Sequence, residues 1–103
     1  MSKISLIAKL TCADGKAEEF EAALASLIEA AEEEAGLEVY AANADTGAEN
    51  VYWFYEIYTD GDALGVHGKG DGMKAAMGAL GGLMAGRPEI MMCRPVVAKG
   101  VEV

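Results

Sequence analysis

The spacing of hydrophobic and polar positions changes along this chain, and each change marks an element. Val51 to Tyr58 (VYWFYEIY) is dense in aromatic and β-branched residues, which suit a pleated, half-buried surface. A side-chain period of two places Val51, Trp53, Tyr55 and Ile57 on one face of this strand. Tyr52, Phe54, Glu56 and Tyr58 fall on the other, so one carboxylate sits in an aromatic row. Thr59, Asp60 and Gly61 break the strand. A short helix from Gly61 or Asp62 then ends at His67, the only histidine.

The remaining elements follow from the same periods. Lys3 to Thr11 predicts a strand with Ile4, Leu6, Ala8 and Leu10 on one face and Lys3, Ser5, Ile7, Lys9 and Thr11 on the other. Lys16 to Ala35 predicts a helix, because Phe20, Leu24, Leu27, Ile28, Ala31 and Ala35 recur at offsets of three and four. Glu18, Glu19 and Glu21 suit the positive end of its dipole, whereas Glu32, Glu33 and Glu34 lie at the wrong end. That second run reads as a solvated face. Gly36 reads as the residue that ends the helix. Leu37 to Asp45 predicts a second strand with Tyr40 as its one large side chain. Met73 to Met84 predicts a third helix with Met73, Met77, Leu80 and Met84 on one stripe. Gly78, Gly81 and Gly82 interrupt it, each costing about 1 kcal/mol against alanine. Glu89 to Ala98 predicts a last strand, and Pro95 within it implies an edge position or a bulge.

The order β-α-β-β-(α)-α-β predicts an α+β fold: a ferredoxin-like split βαβ with a four-stranded antiparallel sheet and helices on one face. The other face would carry Ile7, Val39, Trp53, Tyr55 and Ile57, too apolar for water. Two such sheets packed face to face would bury it, so a homodimer is expected.

Composition narrows the function. The 103 residues make one domain, 1–103, and 52% hydrophobic content makes it globular. No run approaches the ~18 apolar residues of a membrane span, and MSKISLIAKL carries no leader pattern. A cytoplasmic protein without a membrane partner is the expectation. A formal charge of −9 argues against nucleic acid. Cys12 and Cys93 have no metal-ligand spacing and read as two reduced thiols, so no metal is expected. Gly68 to Gly72 (GKGDG) lacks the spacing of a phosphate-binding loop.

Tyr55 to His67, YEIYTDGDALGVH, resembles the signature of the antibiotic biosynthesis monooxygenase family: Tyr-Glu-x-Trp/Tyr, an acidic turn, then Ala-Leu-x-x-His. Asp14 to Leu24, DGKAEEFEAAL, is similar to that family's Gly-Lys-x-x-x-Phe helix start. Leu80 to Pro95, with its Pro-Glu step and Arg-Pro-Val ending, also fits. The resemblance implies a dimeric α+β barrel. It also implies one of several activities: cofactor-independent oxidation of quinols or polyketides, haem degradation, or isomerisation of a sugar phosphate. The haem-degrading branch has an Asn in strand one, a Trp at the end of the short helix and a haem-ligating His beyond it. An ungapped alignment puts Ile7, His67 and Ala76 there, so no haem is expected. Other members carry a second His and a Phe in the loop that follows; the matching pair here is Gly72 and Met73.

No flavin or nicotinamide motif is present, so the expected oxygenase uses no cofactor and the substrate supplies the electrons. A phenolic or quinol compound, once deprotonated, reacts with dioxygen itself. The protein then provides a dry aromatic pocket, a base and an oxyanion stabiliser. The candidates are His67 as base, Glu56 as its orienting group or proton acceptor, and Tyr58 as a phenol for the quinone oxygen. Tyr40, Phe54, Phe20, Met73 and Met77 are the candidate substrate-binding residues. Each also has a plain structural reading: a helix-end histidine bonded to the sheet, a satisfied carboxylate, tyrosines packed in the core. A non-catalytic dimeric small-molecule-binding module, or an isomerase of a small carbonyl compound, remains open beside the monooxygenase.

Overall fold

A computed structural model describes residues 2–103. Among these the elements run β1 (Ile4–Thr11), α1 (Ala17–Ala31), β2 (Leu37–Ala44), β3 (Val51–Tyr58), α2 (Gly61–Val66), α3 (Asp71–Gly81) and β4 (Glu89–Cys93). The strands form one antiparallel sheet ordered β2-β3-β1-β4. This is the ferredoxin-like α+β arrangement that the pattern predicts.

One face of the sheet carries the core. Leu6, Ala8 and Leu10 of β1 and Tyr52, Phe54 and Tyr58 of β3 pack with Phe20, Ala23, Leu24, Leu27 and Ala31 of α1 and Met73, Ala76 and Leu80 of α3. Period-two strands thus meet period-3.6 helices, as the alternation requires. Among the described residues no helix is long and apolar enough to cross a membrane.

α3 runs Asp71–Gly81 rather than Met73 to Met84, and the end of α1, the role of Gly36 and the end of β4 also differ from the pattern, each for a local reason. α1 stops at Ala31, not Ala35. The amides of Glu32, Glu33 and Glu34 bond the carbonyls of Glu29, Ala30 and Ala31, the i→i−3 spacing that tightens a final turn. The chain then swings off the helix axis at Glu34. Gly36 does not act through a left-handed cap conformation, which is found instead at Gly15, Gly68, Gly86 and Gly100. Its role is close approach: a Cβ there would lie 2.5 Å from the Cβ of Ala63, so glycine lets α2 rest on this segment. Last, β4 ends at Cys93, before Arg94-Pro95. Proline has no amide hydrogen for a ladder, and it restricts the residue before it.

Ile57 departs from the expected water-facing row: it is fully buried. It pairs with Ser5, which is also buried. The C-terminal tail returns to this corner, where Lys3 Nζ donates to the carbonyl of Glu102 and bonds Glu38 Oε1 at 2.6 Å. Elsewhere the second face stays open. Tyr55 is 39% exposed and Met91 of β4, paired with Ile7, is exposed; Ile90 and Met92, paired with Ala8 and Leu6, are exposed on the helix-bearing side of that edge strand.

Candidate functional site

The aromatic row of β3 and the end of α2 meet under the helices. Asp60 starts α2 by accepting the amide hydrogen of Ala63 on Oδ1 at 2.9 Å. The helix runs one and a half turns and its end is capped by His67, whose amide bonds the carbonyl of Leu64 at 3.2 Å. Gly68 follows with φ of +81°, a backbone that side chains other than glycine's resist. A Cβ there would also lie 3.2 Å from the Sδ and Cε of Met77. The imidazole is thereby turned inward.

Around it stand Tyr40 of β2 and Tyr58 of β3, edge-on to the ring, each centroid 5.4 Å from that of His67. Phe54 backs Tyr40 at 5.0 Å. Two carboxylates flank the imidazole at opposite nitrogens. Glu34 Oε1 lies 2.8 Å from Nδ1, and Glu56 Oε1 lies 4.0 Å from Nε2. The other Glu34 oxygen accepts the amide hydrogen of Gly68 at 3.3 Å. Tyr58 donates its hydroxyl hydrogen to Glu56. Carboxylates on opposite sides of a ring diverge rather than converge on one point. Accordingly, no His/Cys/Asp/Glu group suited to hold a metal ion is found among the described residues.

Burial sets the charges here. It raises the Glu56 carboxyl above the usual glutamate range, against the hydrogen bond from Tyr58 and the pull of His67. It also lifts the Tyr58 phenol far above its ordinary value, reinforced by the bond to Glu56. Tyr40 is lifted by burial first and then by the charges of Glu56 and Glu34. Both phenols therefore remain neutral O–H donors at physiological pH. They can steady an oxyanion but cannot serve as bases.

The cluster borders open space at Tyr40 and Glu34. A trough of about 430 Å³ between α1 and β2 is lined by Leu24, Ala25, Ile28, Tyr40, Ala42 and Tyr52, among others. A second, of about 530 Å³, runs past Ile28, Ala31, Glu34, Leu37 and Tyr40. Tyr40 and Ile28 line both. A cleft of about 560 Å³ on the other side is lined by Glu34, Ala63, Lys69 and Met73.

The structure thus gathers His67, Glu56, Tyr58, Tyr40 and Phe54 at one place. Phe20 is not with them: it is fully buried in the core against Tyr52, centroids 4.9 Å apart, and presents no surface to a ligand. Met73 is 2% exposed in the α3 core and borders the cleft beyond Glu34, while Met77 packs on Gly68. The residue that the sequence reading missed is Glu34, taken as part of a solvated face. Its signal was the misfit itself: acidic side chains at the negative end of a helix are unfavourable unless one is used elsewhere.

The model of the antibiotic biosynthesis monooxygenase family matches residues 3–79. The chain belongs to the antibiotic biosynthesis monooxygenase family. A Caulobacter crescentus crystal structure named for this family superposes with a TM-score of 0.87 at 36% identity, covering 93% of this chain and 92% of that one. A conserved protein from Methanosarcina mazei gives 0.83 at 26% identity over 91% of this chain and 93% of its own. One from Chloroflexus aurantiacus, named for the same family, shares the fold with 0.85 at 22% identity over 98% and 100% of the two chains. No curated protein matches the chain. The family signature Tyr55 to His67 supplies Glu56, Tyr58 and His67 of the cluster. Tyr40 and Glu34 come from the segment before it.

Proposed function

We propose that the chain is a cofactor-independent monooxygenase acting on a small aromatic, quinol-type compound. Membership of the monooxygenase family and the name of the Caulobacter relative support the reaction class. The observation that carries the substrate class is the half-buried imidazole, set edge-on to Tyr40 and Tyr58, with Phe54 behind Tyr40 and an alanine-rich trough alongside Tyr40. Small side chains along a wall leave room for a flat ring. His67 removes a phenolic proton, and the electron-rich phenolate reduces dioxygen directly. For a hydroquinone the balance is hydroquinone plus O₂ to hydroxyquinone plus water. One oxygen atom enters the ring and the other leaves as water. All four electrons come from the substrate, so no external reductant is required. The neutral Tyr40 phenol donates to the developing oxyanion, and the aromatic surround keeps water from the intermediate. Labelled dioxygen is the test: turnover under ¹⁸O₂ should place one heavy atom in the product. Label arriving from H₂¹⁸O, or conversion without oxygen, would contradict it.

The active form is proposed to be a homodimer, a dimeric α+β barrel in which a second copy covers the open sheet face. Tyr55, Met91 and the ring of Trp53 are the surface it would bury.

A further inference from the structure

We propose that Glu34 is a positioning residue for His67: it holds the imidazole proton on Nδ1 and makes Nε2 the accepting nitrogen that faces Glu56. The inference rests on the reading of His67 as the base of the site. A neutral imidazole has one N–H and one lone pair, and its neighbours decide which nitrogen carries which. The carboxylate within hydrogen-bond distance is on the Nδ1 side, at 2.8 Å, against 4.0 Å on the Nε2 side. The proton therefore resides on Nδ1. Glu34 is not free to turn away, because its second oxygen is held by the Gly68 amide at 3.3 Å and its side chain is only 12% exposed. One short turn thus fixes both the ring and the group that orients it.

On the opposite side, Nε2 has no partner at hydrogen-bond distance among the described residues. A separation of 4.0 Å between Nε2 and Glu56 Oε1 is too long for a direct hydrogen bond. A single oxygen atom placed off the line between them lies about 2.8 Å from both, an ordinary bonding distance. A substrate hydroxyl there donates to Nε2. When the proton passes from that oxygen to Nε2, the substrate becomes its phenolate and the ring an imidazolium with N–H on both nitrogens. The Nδ1–H of that imidazolium stays on Glu34. The same orienting logic operates wherever a carboxylate fixes the tautomer of a catalytic histidine.

Because His67 is the only histidine, ¹H–¹⁵N correlation of the ring nitrogens reads it without overlap. Under conditions where the ring is neutral, the wild-type chain should show the Nδ1–H tautomer. Glu34→Ala should move it toward Nε2–H. Glu34→Gln, whose amide carbonyl still accepts, should retain Nδ1–H. In oxygen uptake with a hydroquinone, Glu34→Ala should lower kcat roughly 10–100-fold with KM little changed, and Glu34→Gln should recover part of the loss. A wild-type Nε2–H tautomer, or an identical tautomer in wild type and Glu34→Ala, overturns the proposal. If Glu34→Ala does not fold, Nε2–H in either the wild type or Glu34→Gln still overturns it. If the tautomers behave as stated but no form consumes oxygen, the positioning role stands and the monooxygenase reading falls.

Discussion

Tyr58 donates its phenolic hydrogen to Glu56, two residues back along the same strand, and both side chains are buried. The pair shares a face because a strand repeats every two residues. It also shares a burden, since a buried carboxylate is tolerated only with partners.

Glu56 should make the fold less stable as pH rises. Its folded carboxyl titrates above the unfolded value of about 4.3. The stability it confers is complete below that unfolded value and is lost as pH climbs through the folded one. Glu56→Gln removes the titration and still accepts from Tyr58. The melting temperature of the variant relative to wild type should increase from pH 4 toward neutrality, while oxygen uptake falls. A difference in melting temperature that does not change with pH would show that burial does not raise the Glu56 carboxyl.

Tyr52 and Phe20 test the core away from His67. Tyr52 donates to Glu21 Oε2 at 2.7 Å, and burial followed by that bond pushes its phenol up to about 12. Its protonated form stabilises the fold fully below the unfolded value of about 10, an advantage lost as pH rises toward 12. Tyr52→Phe should cost about 1.5 kcal/mol in urea unfolding. Phe20→Ala should cost about 3–5 kcal/mol, as a fully buried ring leaves a cavity. Neither should alter the tautomer of His67.

Gly36→Ala reports on the turn that delivers Glu34. The added Cβ meets that of Ala63 at 2.5 Å, and neither atom has a flexible end to move. Overpacking of this kind typically costs about 1–3 kcal/mol. The variant should also weaken the contact between Glu34 and His67, seen as a changed ring-nitrogen spectrum. An unaffected stability would mean that α2 shifts freely on this segment.

Trp53 offers a probe of assembly. Its indole donates to Asp45 Oδ2 at 2.8 Å on the second face of the sheet, with Lys9 Nζ 5.8 Å from the ring centroid. If two copies meet there, sedimentation should give twice the 10.7 kDa chain mass at micromolar concentration. The fluorescence of the only tryptophan should then change on dilution. Trp53→Asp should yield a folded monomer. A wild-type monomer of 10.7 kDa would contradict the dimer.

How much of this was legible in the sequence follows from which interactions are local. The period-two row of β3 put Phe54, Glu56 and Tyr58 on one face before any tertiary contact was known. The break at Asp60 and Gly61 announced the short helix that ends at His67. Tyr40 stood out as the one large side chain of β2. Glu34 did not, because its role depends on a tightened helix end and on how closely Gly36 approaches Ala63, neither of which has a periodic signature. Phe20 shared its stripe with true core residues, and nothing in the spacing told a pocket wall from a core wall. Ile57 followed its row on paper, and its burial has no periodic signature.

The central claim is that His67 starts an oxygen reaction that needs no cofactor, and oxygen uptake by wild type and His67→Ala tests it most directly. The measurement uses a panel of hydroquinones and anthrones, with circular dichroism and sedimentation confirming that both forms are folded and equally assembled. Wild type should consume oxygen in step with substrate, and His67→Ala should be slower by roughly 10²–10⁴-fold, the usual consequence of losing a general base. A folded His67→Ala protein that turns over at the wild-type rate would contradict the account.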